Sequence, residues 1–134
     1  MTIESPIQFW AVGSSFDGTD DKTKDFITNN YWRDGWGLSN DDRNKEILVQ
    51  IKKGDILVMK SSSTKGKGHL TSFTKVKAIG KIKGRVNYYT FLVTWYDTKS
   101  LPKDFDSIWY SKTVEKLRED VLLSYVKDFI KKYE

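Results

Sequence analysis

The chain has 134 residues, 38% hydrophobic and 14% aromatic, which suits one domain with a real core and leaves little room for two. It has no cysteine, which excludes disulfides, thiolate metal sites and cysteine nucleophiles, and no apolar run near the roughly 20 residues of a membrane span. The net charge of +5 is unevenly placed: Lys52 to Arg85 holds ten basic residues and one acid, while residues 1–51 sum to −4 and residues 86–134 to zero. Such a basic block is either a solvated strand face or the footprint of a polyanion, and the aromatics near it favour nucleic acid. Met1 to Pro6 shows neither a basic n-region nor an apolar h-region, so no signal peptide is expected, and a cytoplasmic location fits the cysteine-free, Lys-rich composition.

In chain order, Phe9-Trp10-Ala11-Val12 reads as a buried strand stopped by Gly13-Ser14-Ser15, and Asp17-Gly18 marks a turn. Asp20 or Asp21 caps a short expected helix through about Asn29. Tyr31-Trp32-Arg33-Asp34-Gly35-Trp36-Gly37 then breaks every periodicity. Three large aromatics sit among charges and glycines, as on a loop that presents ring faces near water or plugs one end of the core. Ser39-Asn40-Asp41-Asp42 predicts a helix start, with Ile47, Leu48 and Ile51 as its apolar face and Gly54 at its C′ position. Asp55 leads into a buried strand, Ile56-Leu57-Val58-Met59. Ser61 to Gly68 reads as a flexible basic loop. Phe73 to Ile82 predicts one or two strands with a basic outer face, broken at Gly84. Phe91 to Tyr96 is a further strand, Leu101-Pro102 a turn, and Ile108-Trp109-Tyr110 a short apolar segment. Leu117, Val121, Leu122, Tyr125, Val126, Phe129 and Ile130 form one stripe of a C-terminal helix. Trp10, Phe91, Trp95 and Trp109 are expected in the core. The order of elements predicts a single α+β domain, 1–134, with helices around a strongly bent mixed β-sheet or small barrel.

Catalytic signatures are missing from the sequence. His69 is the one histidine, without a second His or Cys to share a metal, and no P-loop, dinucleotide fingerprint or nucleophile elbow occurs. Lys65-Gly66-Lys67-Gly68-His69 is only faintly phosphate-binding. Asp20-Asp21 and Asp41-Asp42 sit where helix caps are expected. A non-catalytic role without cofactor or metal is the expectation.

Several segments together resemble the EVE and YTH domains of the PUA-like superfamily. Phe9 to Ser15 is similar to the opening strand and its polar exit. Asn30-Tyr31-Trp32 resembles the pattern in which an Asn precedes a cage Trp by two positions. Ile51-Lys52-Lys53-Gly54-Asp55 with the strand through Lys60 resembles the "KGD plus strand" signature, and Val76 to Ile82 the strand after it. Phe91 to Tyr96, Leu101-Pro102 and Ile108 to Leu117 resemble the later strand, its turn and the closing segment. The nearest resemblance is to the N-terminal recognition modules of McrB-type, modification-dependent restriction enzymes, where an AAA+ GTPase motor follows and recruits a separate nuclease. On that likeness the chain is an excised or free-standing recognition domain.

The resemblance implies reading of a modified base, flipped from the stack into an aromatic cage. Trp32 matches the first cage wall, with Trp36 as a nearby candidate. Tyr88 or Tyr89 stands where the second wall is expected; being adjacent, they point to opposite faces in a strand. Ser14 and Ser15 match the polar exit that contacts the base edge, and Asn30 is placed to do likewise. Lys60, Lys65, Lys67, Lys81, Lys83 and Arg85 would hold phosphates. Modified DNA is the expected partner, ahead of RNA. The alternatives are a ribonuclease of the related ASCH type, built on a Lys–Tyr–Asp/Glu constellation, and a protein-interaction module with an exposed apolar patch.

Overall fold

The computed structural model describes residues 6–16, 20–97 and 99–133; the Asp17-Gly18 turn, the signal-peptide reading of the first residues and the side chain of His69 lie outside this description. A seven-stranded mixed sheet dominates. Its strands are β1 (Phe9–Val12), β4 (Tyr31–Arg33), β5 (Ile56–Lys65), β6 (Thr71–Asn87), β7 (Thr90–Trp95), β8 (Lys103–Asp106) and β9 (Val114–Lys116). They run in the order β4-β7-β6-β5-β1-β9, with β8 beside the first half of β6. Only β1 and β5 pair in parallel, Phe9 opposite Ile56 through Val12 opposite Met59; the other pairings are antiparallel. A two-stranded piece, β2 (Ser15–Phe16) with β3 (Asp20–Asp21), follows β1. The helices are α1 (Thr23–Thr28), α2 (Gly35–Leu38), α3 (Lys45–Leu48) and α4 (Val121–Tyr133). The α+β class expected from the sequence is therefore the observed one, and the bent, largely antiparallel sheet is compatible with a small barrel-like fold.

The continuous apolar runs of β1 and β5 have a simple cause: both faces are covered. Trp10, Val12, Leu57 and Met59 join Phe26, Trp32, Phe91 and Trp95 in one core, while Ala11, Ile56 and Val58 join Tyr110, Leu122, Val126 and Phe129 beneath α4 in another. β6 pairs β8 over Phe73–Val76 and β7 over Gly80–Asn87; its register shifts against β5 between Val76 and Ala78, and against β7 between Ile82 and Gly84. Gly80 permits the close approach of β7, since a β-carbon there would lie 2.6 Å from Val93 and 2.7 Å from Trp95.

Several expectations are corrected. Asp20 and Asp21 form β3; Asp21 accepts a hydrogen bond from the Thr23 N–H at 2.9 Å, which starts α1 without extending it to them. The helix expected from Ser39 shrinks to Lys45–Leu48. Asn40 adopts φ 62°, and the Asn40 and Asp41 N–H groups donate to Gly37 and Trp36 carbonyls at 3.0 and 2.8 Å. This is a Schellman closure of α2, so Asn40 ends one helix and does not begin the next. The expected flexible loop, Ser61–Gly68, is strand through Lys65, paired to Thr71–Lys75, with the Ser62 and Thr74 hydroxyls bonded across it at 2.7 Å. β6 continues through Gly84. β8 was not foreseen. Trp109, expected in the core, is 43% exposed, while its neighbour Tyr110 is buried, its hydroxyl donating to Asp120 at 2.6 Å. Leu117 precedes α4 and Val121 is exposed.

Candidate functional site

The aromatic segment is ordered as strand and helix. Asp34 caps α2 through its carboxylate, which accepts from the Trp36 N–H at 3.3 Å. Both glycines of Gly35-Trp36-Gly37 are used for close approach: a β-carbon on Gly35 would lie 2.8 Å from the Phe16 ring, and one on Gly37 2.4 Å from Tyr89. α2 is thus held between Phe16 of β2 and the Tyr88-Tyr89 turn. A cavity of about 400 Å3 lies beside it, lined by Ser15, Phe16, Asp34, Trp36, Leu38 and Thr113, among others. That volume is within the roughly 300–1,000 Å3 of small-molecule sites.

The cavity combines two aromatic side chains with one buried acid. Arg43 stacks on the Trp36 indole, 3.5 Å from the ring centroid, and Asp41 orients the guanidinium through bonds of 2.8 and 3.2 Å. Phe16 contacts Phe26 at a centroid separation of 6.0 Å and carries the Lys22 amine at 5.7 Å. Asp34 is 1% exposed, and burial raises its carboxyl above the usual range against the opposing hydrogen bonds from Asn44 and Trp36. Those bonds, both 3.3 Å, leave acceptor capacity on each oxygen.

The structure brings Ser15 and Trp36 together in this cavity. It places the other expected cage residues elsewhere. Trp32 is fully buried in the core, and its indole N–H donates to the Gly13 carbonyl at 2.7 Å, so it fixes the exit of β1 from beneath and presents no face to a ligand. Ser14 is buried, 2.7 Å from the Thr23 hydroxyl and accepting from the Lys77 amine at 3.0 Å. Asn30, in the left-handed region at φ 54°, lines a separate 300 Å3 cavity with Lys77 and Trp95. Tyr89 buttresses Gly37, and Tyr88 packs edge-on against it beneath the Lys45 amine.

The basic residues divide in the same way. Lys60 is buried, donating to the Tyr110 and Lys112 carbonyls at 2.7 Å each, and burial lowers its pKa to about 8. Arg85 donates to the Leu48, Ile51 and Tyr88 carbonyls at 3.0, 2.5 and 3.1 Å. Lys65 pairs with Asp106 at 2.6 Å and Asp104 at 3.7 Å. Lys60 is corrected from a phosphate contact to a brace of the fold, because it is buried with its amine on two backbone carbonyls, whereas Arg85 stays exposed while its Nη1 and Nη2 groups reach three carbonyls. Lys67 and Lys83 are exposed; Lys81 is half-buried. A Lys–Tyr–Asp grouping does exist in Lys60, Tyr110 and Asp120, but the first two are buried and bonded within the fold.

Phe16, Asp34 and Thr113 line this cavity without being among the residues expected from the sequence. Asp34 stands in the sequence between Arg33 and Gly35, inside the aromatic segment. Phe16 and Thr113 carried no signal, since they reach the cavity from distant chain segments. Among the described residues no group of three or more His, Asp or Glu is arranged to hold a metal ion, and no helix is long and apolar enough to cross a membrane. No protein-family model matches the chain, and no curated protein matches it.

Proposed function

We propose that this chain is a non-catalytic reader of modified nucleic acid, DNA ahead of RNA, which takes a flipped, modified base into the cavity between β2 and α2. The observation that carries this reading is the pairing of Trp36 and Phe16 with the buried acid Asp34 in one half-enclosed space. Aromatic side chains supply stacking or methyl contact, worth about 1–3 kcal/mol per base. The Asp34 carboxylate accepts a hydrogen bond from an exocyclic amino group, which favours adenine- or cytosine-type bases over those with only carbonyls on that edge. The exposed lysines Lys67 and Lys83 add a sequence-independent, salt-sensitive attraction to phosphates.

On this reading the fold is PUA-like, of the EVE/YTH type, and the chain acts as the recognition module of a modification-dependent restriction system of the McrB kind, with an AAA+ GTPase motor and a separate nuclease as partners. Its site residues differ from those the resemblance implied, with Trp36 and Phe16 in place of Trp32 and the tyrosines.

Fluorescence-polarisation binding tests it: DNA and RNA, single-stranded and duplex, unmodified or carrying 6-methyladenine or 5-methylcytosine, at two salt concentrations. The expected result is preference for one modified base, weakened about tenfold or more in Trp36→Ala and in Asp34→Asn. Salt-sensitive binding indifferent to modification would remove the pocket from the reading, and absence of binding would remove the reading altogether.

A further inference from the structure

The cavity between β2 and α2 is more polar than a cage for a methyl group needs to be. Trp36 and Phe16 are its aromatic walls. The same lining carries Ser15, Ser39 and Thr113 and the acid Asp34. The three hydroxyl residues come from separate segments. Ser15 lies on β2, and Ser39 closes α2 through its backbone N–H. Thr113 is fixed beside the end of β1, where its carbonyl accepts from the Gly13 N–H at 2.8 Å.

These hydroxyls differ from those inside the fold. The buried hydroxyls of Ser14, Thr74 and Thr90 are bonded internally, to Thr23 at 2.7 Å, to the Ile108 carbonyl at 2.7 Å and to Arg33 at 3.1 Å. Among the described residues, the hydroxyls of Ser15, Ser39 and Thr113 have no hydrogen-bond partner. Asp34 is buried, and each of its oxygens accepts one bond of 3.3 Å with capacity for more. A ligand that fills this space takes the water from all four groups. A methyl group offers them nothing to bond, so a site with this lining disfavours a base that carries methyl alone. A hexose matches the same set. Its hydroxyls donate to a carboxylate and exchange hydrogen bonds with Ser and Thr, and its C–H face packs on the electron-rich face of an aromatic ring. The volume of about 400 Å3 falls in the range of sites that enclose a drug-sized ligand, larger than one flat base with a single methyl.

From this arrangement we infer that the modification read in this cavity is a sugar, a neutral hexose carried on a hydroxymethyl pyrimidine. The inference rests on the reader function proposed above and names its substrate class. Trp36 and Phe16 pack against the faces of base and sugar, while Asp34, Ser39, Thr113 and Ser15 bond the sugar hydroxyls and the base edge. Charge selects a neutral sugar over an acidic one: among the described residues Asp34 is the one charged side chain in the lining, and a second carboxylate or a phosphate would be repelled there.

The test uses the full chain and one DNA duplex in four forms, with cytosine, 5-methylcytosine, 5-hydroxymethylcytosine or glucosylated 5-hydroxymethylcytosine at a single position, and a 6-methyladenine duplex beside them. The glucosylated form is expected to bind about tenfold or more tighter than the 5-methylcytosine form, with hydroxymethyl between them. Ser39→Ala and Thr113→Val are each expected to weaken the glucosylated duplex about threefold or more and the methylated one less than about twofold, because only the sugar reaches those hydroxyls. Trp36→Ala should weaken every modified probe. A methylated duplex that binds as tightly as the glucosylated one, or losses in the two variants that are equal on both probes or absent, overturns the sugar and leaves the reader standing. Methyl glucoside, the same sugar without the base, competing as strongly as the glucosylated duplex would also overturn the inference. Failure of every modified duplex, 6-methyladenine included, to bind better than the unmodified one overturns inference and reader together. Unchanged thermal unfolding of Ser39→Ala and Thr113→Val guards against a folding artefact.

Discussion

Gly37 and Tyr89 are in direct contact: a β-carbon on Gly37 would lie 2.4 Å from Tyr89 Cβ and Cγ. The contact sets how α2 sits against the β6–β7 turn, and so where Trp36 stands in the cavity. Gly37→Ala is expected to cost about 1–3 kcal/mol through overpacking. Thermal unfolding measures the loss, and Tyr89→Ala in the same chain should restore part of it. Additive losses in the double variant would show that the clash is not the cause.

Trp32 and Trp36 have opposite expected profiles. Trp32→Ala leaves a large core cavity and the Gly13 carbonyl without its partner, at a cost of about 3–5 kcal/mol. Trp36 is half-buried, so its replacement by Ala should cost about 1 kcal/mol and act mainly on ligand binding. Urea unfolding of both variants separates the two roles; equal destabilisation would return Trp36 to the core.

Asp34 is costly to bury as a charge. Because burial raises its pKa in the folded chain, the ionised form subtracts stability once the pH passes the unfolded value of about 3.9. Asp34→Asn removes that charge at nearly constant shape, so stability near pH 7 should change by less than about 1 kcal/mol or rise, while ligand affinity falls. A large loss of stability without loss of binding would mark Asp34 as a cap alone.

Asp55 is a buried polar junction. It is fully buried and accepts from the Trp10 indole at 3.0 Å, the Lys52 amine at 2.9 Å and the Gln8 and Lys52 backbone N–H groups at 3.1 and 3.0 Å. Burial alone would raise its pKa, but the bonds from Lys52, Trp10 and Gln8 outweigh it and the pKa is lowered. Its contribution is therefore complete above the unfolded value of about 3.9 and disappears as the pH falls toward the folded one. Asp55→Ala should cost about 3 kcal/mol or more, leaving several buried donors unmatched. A chain that keeps its stability in this variant, measured by urea unfolding from pH 7 to pH 3, would refute the assignment.

Lys60 and Tyr110 act in opposite directions at alkaline pH. Lys60 falls to about 8 in the folded chain from about 10.5, so the unfolded chain holds the extra proton between these values and stability rises across that window. Tyr110 is raised to about 12 from about 10, chiefly by burial and then by its bond to Asp120, so the folded chain keeps its proton and stability falls between pH 10 and 12. Denaturant unfolding from pH 7 to 12 should show the rise and then the fall, with the rise flattened in Lys60→Met. The shift of Lys60 corresponds to about 3 kcal/mol at most.

Much of the fold was legible because it is local. The double-sided burial of Phe9–Val12 and Ile56–Met59 is written as unbroken apolar runs, and the last helix as a stripe whose first residue, Leu117, lies before the helix begins at Val121. Asn40 is ambiguous in sequence because Asn ends helices in the left-handed region as well as capping them, and only the backbone closing on Trp36 and Gly37 decides which. The Ser61–Lys65 stretch had no apolar residue to betray a strand; its register is held by hydroxyl pairing and a partner strand ten residues away.

The sequence by itself determined the α+β class, the buried strands and the concentration of positive charge in its middle third. Local propensity, apolar periodicity and residue chemistry suffice for these. Only the tertiary structure decided which aromatic lines a cavity and which fills the core, and which lysines meet solvent and which meet carbonyls. Trp32 and Trp36 are equivalent as residues and differ only in what the rest of the chain packs over them; Lys60 and Lys67 differ in the same way. Burial and hydrogen-bond satisfaction depend on contacts between distant segments, such as Phe16 with Gly35 and Lys60 with Lys112, and no local pattern encodes them.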